Sequence, residues 1–274
     1  MNIDKKIILE VMQNLCDRNF EELVYYRCKN FVEELDEIAE DTGYTIDFGL
    51  SKIVVDFDEY SDWVIKVPRL DDRMKQNFCE LEAKNYEAAR RVHLNEFFAE
   101  TYFIDRFFDI PVYIQKRMTI KRQEIDDKLY SYAKENFSCS QDFEDEYDRD
   151  DYIHSTIDDF EAFDSLNAVF SDFYSEDKIE EVAQFCTEEE INDFHSGNFG
   201  YDEKGMPKLI DFSGIWGDFY LWIKRTEYAY CLLHCTNINR KKVHEKCTNP
   251  KRKGCKDGKR CSHLVVLERS KQYE

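Results

Sequence analysis

Two aspartates, a histidine and an asparagine crowd the segment DFHSGNFGYDEKGMPKLIDFSG, residues 193 to 214. Its apolar stretches, NFGY and MPKLIDF, flank the turn formers Asp202-Glu203-Lys204-Gly205 and so predict a hairpin. Such a hairpin returns Asp211 to the level of Asn198, 13 residues earlier, while Asp193 lies five residues before Asn198 on the loop that feeds it. Three oxygen-bearing side chains therefore converge. A hard divalent cation such as Mg²⁺ binds carboxylate and amide oxygens, taking a few protein ligands and completing its shell with phosphate oxygens. Asn198 and Asp211 supply such a pair, and Asp193 is left to accept a proton. That division suits phosphoryl transfer, where positioning and charge neutralisation carry most of the catalysis.

These residues need a scaffold. Residues 5 to about 41 repeat apolar residues at three and four (IILEVMQNL, then FEELVYYRCKNFVEELDEIAE) and read as helix, stopped by Thr42-Gly43. The period then changes to two. TIDFGL, SKIVVDFDEY and SDWVIKVP predict three short strands, joined by Gly49-Leu50-Ser51 and by the polar turn from Asp58 to Asp62, with Pro68 ending the third. Helical spacing returns from about Asp71 to Val92, and AETYFID and IPVYIQKRM predict two more strands. Five strands interrupted by one helix make an antiparallel sheet with a helix packed on it, an α+β arrangement. Residues 120 to 190 read as mostly helical and acidic, with a loop around SCSQDFEDEYDRDD that fits a solvated surface. YLWIKRTEYAYCLLHC predicts a last apolar helix.

Asp193-Phe194-His195-Ser196-Gly197-Asn198 resembles the D-x-H-x-G-N loop of the protein-kinase-like superfamily, in its aminoglycoside phosphotransferase and choline kinase branch, and Ile210-Asp211-Phe212-Ser213-Gly214 resembles that branch's I-D-F-x strand end. The spacings of 5 and 13 residues also match the catalytic-loop Asp, its Asn and the D-F-G Asp of protein kinases. The resemblance implies a bilobal fold: an N-terminal helical extension over 1–43, a small lobe over 44–118 built on the five-stranded sheet, and a mainly helical lobe over 119–274. It implies ATP and Mg²⁺, a strand lysine at the phosphates, and a glutamate on the following helix that orients it. Trp63-Val64-Ile65-Lys66-Val67 resembles the V-A-I-K strand, and period two puts Val64 on the face of Lys66, so that Val64 would touch adenine while Lys66 meets the phosphates. Two glutamates compete to be its partner. Counting onward, Glu80 leads to Ala83 and Lys84 but Glu82 to Asn85, Tyr86 and Ala89, so Glu82 sits better beside an apolar face. Asp193 would orient or deprotonate the acceptor hydroxyl, Asn198 and Asp211 would bind Mg²⁺, and His195 would shape the loop. Ile210 would pack beneath the base, and Gln115 to Met118 resembles the hinge whose backbone bonds adenine.

The pattern departs from the family in places. The phosphate-covering turn holds one glycine, Gly49, where kinases often have three, and the Ser51 hydroxyl is the donor that could stand in for loop amides. Nothing after Asp211 resembles an A-P-E segment, so a docking platform for peptides looks reduced. The acceptor, small molecule or protein, is therefore left open, and a catalytically inactive nucleotide-binding module is the alternative.

Bulk properties set the remaining bounds. The 274-residue chain is 42% hydrophobic and 15% aromatic, enough for a real core despite 35% charge. Residues 236 to 274 carry 12 Lys+Arg against 4 Asp+Glu, a balance of +8, leaving −28 for the rest of a chain whose net charge is −20. An acidic body is a poor partner for nucleic acid. No stretch approaches the ~18 uninterrupted apolar residues of a membrane span, and the first residues lack a secretory signal, so the expectation is a cytoplasmic protein with no membrane partner. Ten scattered cysteines fit reduced thiols. In the tail, Cys247, Cys255, Cys261 and His263 lack the paired C-x2-C knuckles of structural zinc sites.

Overall fold

A computed structural model describes residues 4–26, 30–49, 51–57, 60–70, 77–137, 146–158 and 160–213, all within the unit Met1–Gly214. The helix expected over 220–235, the basic tail with its cysteines and His263, Gly214, and residues 138–145 of the acidic loop lie outside the described residues.

The stretch read as one helix over 5 to 41 folds as three: α1 (Lys5–Cys16), α2 (Phe20–Tyr25) and α3 (Phe31–Thr42). Asp4 caps α1, its carboxylate accepting the Lys6 N–H at 2.9 Å. The chain leaves α1 through Asn19 at φ 62°, a left-handed conformation that asparagine tolerates better than most residues. It leaves α2 through an extended Tyr26. Gly43, at φ 75°, closes α3 with its N–H on the Ala39 carbonyl. Packing sets the two breaks. An unbroken rod over this stretch would reach ~55 Å, far past strands of at most 7 residues. Broken twice, the chain lays three apolar faces on one sheet.

That sheet has the order β1-β2-β3-β5-β4 and is antiparallel throughout: β1 (Thr45–Phe48), β2 (Lys52–Asp56), β3 (Trp63–Pro68), β4 (Thr101–Phe107) and β5 (Ile110–Lys116). Strand alternation gives it two unlike faces. Ile53, Val55, Ile65, Val67, Val112 and Ile114 pack under Ile8, Met12, Leu15, Phe20 and Leu35 of the three helices. The register sets Val54 and Tyr113 on either side of Lys66, and Asp56 and Gln115 on either side of Val64. Lys52, Val54, Val64, Lys66, Tyr113 and Gln115 therefore share the second face.

Helix α4 (Phe78–Arg91) serves this second face. It begins later than the sequence pattern places it, at the cap Asn77, whose side chain accepts the Glu80 N–H at 3.0 Å; residues 71–76 lie outside the described residues. Glu80 in its first turn and Arg90 and Arg91 in its last complement the helix dipole.

Helices α5 (Arg122–Asn136), α6 (Glu146–Asp158), α7 (Ala162–Phe170) and α8 (Glu176–Glu188) follow, then the hairpin β6 (Phe199–Tyr201) and β7 (Pro207–Leu209). A second core joins Tyr86 and Ala89 of α4 to Leu166, Phe170, Val182, Phe199, Leu209 and Phe212. Asp202 organises the hairpin turn by accepting the N–H groups of Lys204 and Met206, both at 2.9 Å, and Gly205 takes φ 76°. No helix among the described residues is long and apolar enough to cross a membrane. The described cysteines Cys16, Cys79 and Cys186 are free thiols.

Ile65, 0% exposed in the central strand, touches the three-helix layer. Ile65→Ala should cost about 2–5 kcal/mol in urea unfolding, whereas Val32→Ala, at a residue 46% exposed, should change stability by less than about 0.5 kcal/mol.

Candidate functional site

Two strands present one ammonium group each on the second face of the sheet. Lys66 of β3 donates to Glu82 Oε2 at 2.8 Å and to the Ile210 carbonyl at 2.9 Å. Lys52, the first residue of β2, donates to Glu82 Oε1 and to Asp211 Oδ1, the latter at 2.7 Å. Glu82 thus bridges two lysines, one on each oxygen. It is 0% exposed, and Lys52 and Lys66 are 5% and 4% exposed. An ionised group in such surroundings loses several kcal/mol of hydration unless compensated, so the set holds together as a unit of two ammoniums and two carboxylates.

Helical spacing explains why α4 supplies this carboxylate. Phe78, Glu82, Asn85, Tyr86 and Ala89 lie on its buried side, whereas Glu80 is half exposed and pairs with Lys84 at 2.6 Å. Asn85, nearly one turn after Glu82, donates to the Phe212 carbonyl at 2.8 Å, tying the same helix to the residue after Asp211. The Phe212 ring packs edge-on against Phe98, with centroids 5.0 Å apart.

The hairpin is fastened to the sheet through its backbone. The Ile210 carbonyl accepts from Lys66 and also from Gln115 Nε2 at 3.0 Å, and the Ile210 N–H donates to the Asn198 carbonyl at 2.9 Å. Thr119 and Tyr201 exchange backbone bonds at 2.8 and 2.9 Å. The approach demands a glycine at 200, where an added Cβ would stand 2.6 Å from Met118 Cβ. Asn198 Nδ2 donates to the Asp193 carbonyl at 2.8 Å, which closes the loop between them and leaves the carboxamide oxygen as the acceptor end. His195 caps the 3₁₀ turn Ser196–Asn198, its Nδ1 accepting the Gly197 N–H at 3.0 Å, with Nε2 3.8 Å from Asp193 Oδ1.

Electrostatics separate the ionisable groups. Burial opposes the charged form of Lys52, but Asp211 and Glu82 overcome it and hold the ammonium well above the ordinary lysine range. Burial likewise works against Asp211, and Lys52 and Lys66 overrule it, keeping the carboxyl well below the usual range. Burial pushes Glu82 up against the pull of the two lysines, yet both its oxygens accept from ammonium groups, the geometry of a carboxylate. Asp193 moves the other way from Asp211. Burial raises it, His195 draws it down, and the Asp211 charge raises it again. The Cys79 thiol, on α4 one turn before Glu82, is pushed up to about 12 by burial and then by Glu82, which makes it an inert neighbour.

The structure thus brings Lys66, Glu82, Asp193, Asn198, Ile210 and Asp211 to one end of the hairpin, with Val64 two places along the strand from Lys66. The stretch Gln115 to Met118 begins inside β5, which runs to Lys116. Gln115 lies inside β5 between Val64 and Thr101, and its amide bonds the Thr101 hydroxyl and the Ile210 carbonyl. Beyond it the Arg117 N–H already bonds the Asp62 carbonyl. Gly49 stands exposed at the β1–β2 turn, its N–H on the Lys52 carbonyl at 2.9 Å, and Ser51 is buried beside it.

Lys52 is the residue that sequence reasoning missed. The signal was present: in KIVVD the residues 52, 54 and 56 fall on one face, and the pairing of β2 with β3 makes it the face of Lys66. Among the described residues no group of three or more His, Cys, Asp or Glu is set to hold a metal ion. An open groove of about 580 Å³ between α4 and β4, lined by Glu80, Lys84, Glu87, Arg91, Phe103 and Arg106 among others, contains none of the clustered residues.

Replacing Glu82 with glutamine leaves two ammonium groups around a neutral amide. Glu82→Gln should cost about 3–5 kcal/mol in urea unfolding, whereas Lys84→Met, which removes the exposed pair with Glu80, should cost no more than about 0.5 kcal/mol. The chain matches no family model, no curated protein and no solved structure.

Proposed function

We propose that this chain is an ATP- and Mg²⁺-dependent phosphotransferase of bilobal, protein-kinase-like fold that moves the γ-phosphoryl group to a hydroxyl of a small molecule or a protein. The observation that carries this reading is the meeting of the sheet–helix pair Lys66–Glu82 with the hairpin carboxylate Asp211, through Lys52. Segments 144 and 159 residues apart contribute to it. In this reading β1–β5 and α4 form the small lobe, α1–α3 are an extension on the back of its sheet, and the later helices with the hairpin form the larger lobe.

Each residue then has a defined task. Val64 offers an apolar contact to adenine, Ile210 packs beneath it, and Gln115 holds the Ile210 carbonyl in place. Gly49 and Ser51 form the turn over the phosphates. Lys66, oriented by Glu82, draws the phosphates to the sheet. The donor set suits a hard cation, since Asp211 offers a carboxylate oxygen and Asn198 a carboxamide oxygen whose amide end is already engaged. Mg²⁺ held there would neutralise charge on the phosphates. Asp193 takes the acceptor's hydroxyl proton as that oxygen bonds to the γ-phosphorus and the bond from phosphorus to the ADP oxygen breaks. Its raised pKa makes it a better proton acceptor than an ordinary aspartate.

A second reading, a nucleotide-binding module without transfer, is favoured by one observation: Lys52 already occupies an oxygen of Asp211, the carboxylate a metal would need. Thermal shift with Mg-ATP and an assay of γ-phosphate transfer separate the two. Stabilisation with transfer supports the enzyme; stabilisation alone supports the module.

Asp193→Asn and Asp211→Asn should each lower transfer by about 100-fold or more with an unchanged circular dichroism spectrum. Because Asp193 must be ionised to accept a proton and its pKa is raised, kcat/KM should climb with pH through a midpoint above the ~3.9 of a free aspartate. Unaltered turnover in either variant would remove the assignment.

A further inference from the structure

Phosphate needs hydrogen-bond donors, and in this fold one donor of the turn before β2, the Gly49 amide, is already engaged. A turn that cradles phosphate does so with free backbone N–H groups on small residues. Here the N–H of Gly49 is spent on the Lys52 carbonyl at 2.9 Å, closing the turn on itself, and the Gly49 carbonyl is held by Arg69 at 3.2 Å. The next strand, however, opens with a buried lysine whose ammonium stands between Glu82 and Asp211.

The two lysines are not equivalent. Lys66 is anchored on one side by Glu82 and on the other by a backbone carbonyl that Gln115 also holds. That carbonyl cannot leave. Lys52 shares Glu82 but takes as its second partner Asp211, whose side chain is 24% exposed and which is the carboxylate at the open end of the hairpin. Of the two ammoniums, Lys52 is the one whose second partner is a partly exposed carboxylate side chain, free to turn to another cation, and not a backbone carbonyl fixed by the hairpin.

Resting on the nucleotide-binding part of the reading above, we infer that Lys52 is a phosphate-binding residue: it adds a charged donor where the Gly49 amide is engaged, trading its bond to Asp211 for an oxygen of the bound polyphosphate. The exchange leaves Glu82 bridging both lysines, so the sheet–helix junction stays intact while Asp211 is released. Lys52 thereby brings a full charge to the phosphates from a strand, where its position is set by the ladder with β3.

The test compares equilibrium binding of ATP, ADP and adenosine by the full chain and by Lys52→Met. In the wild type, ATP and ADP should bind more tightly than adenosine. Lys52→Met should weaken ATP and ADP by at least about tenfold, equivalent to ~1.4 kcal/mol, and leave adenosine unchanged. A purely structural Lys52 would lower the melting temperature and leave the ratio of ATP to adenosine affinity as it was, which overturns the inference. A second measurement needs no variant. An acyl phosphate of ATP, acylated on its γ-phosphate, transfers its acyl group to an adjacent amine, which attacks the carbonyl and releases ATP. Mass spectrometry should then find the acyl group on Lys52, with labelling suppressed by ATP and not by adenosine, and this result decides the matter if Lys52→Met fails to fold. Label on Lys66 alone would overturn the role of Lys52 while leaving nucleotide binding in place. A wild type that binds no nucleotide and takes no label would remove both readings together.

Discussion

Glu82 has no contact with water and accepts an ammonium on each of its oxygens. Everything else at this end of the molecule is arranged around that carboxylate. A helix that buries a charged group must dock where opposite charge awaits it, so α4 is restricted in position along the sheet more sharply than its apolar contacts alone would require. Two adjacent strands must in turn be in the register that puts Lys52 and Lys66 on one face. A slip of one residue in either would turn its lysine into the apolar layer under α1–α3.

The same constraint propagates to the hairpin. Lys66 reaches past Glu82 to the Ile210 carbonyl, and Asn85 of α4 reaches the Phe212 carbonyl, so Asp211 is held by its two neighbours' backbones. Its carboxylate is consequently positioned by the fold itself. Asp193 and His195 sit differently, His195 being 62% exposed in its side chain. One side of the site is locked by buried charge, and the other opens to solvent through a loop closed by Asn198.

Much of this was legible in the chain. Alternation in SKIVVDFDEY, SDWVIKVP and IPVYIQKRM located the strands, because half-buried strands must alternate. The choice of Glu82 over Glu80 followed from which residues lie three, four and seven places onward. The reading failed where local pattern was ambiguous. Apolar periodicity continued across Asn19 and Tyr26, so the two breaks in the N-terminal helices stayed hidden. A left-handed Asn19 and an extended Tyr26 cost little locally and are set by the need to fold back onto a short sheet.

What the sequence by itself determined is the inventory: five alternating strands around one helix, a hairpin carrying Asp193, Asn198 and Asp211 at fixed spacings, and a glutamate on the apolar side of α4. These are short-range properties, written in the period of burial and in turn chemistry. What only the tertiary structure decided is the company those groups keep. Lys52 reads as one more polar residue at the start of a strand, and its meeting with Glu82, 30 residues on, and Asp211, 159 residues on, depends on cross-strand register and on the docking of α4 and the hairpin. The physical reason is that buried charges find partners through space. No local preference of the backbone says which carboxylate a lysine will share.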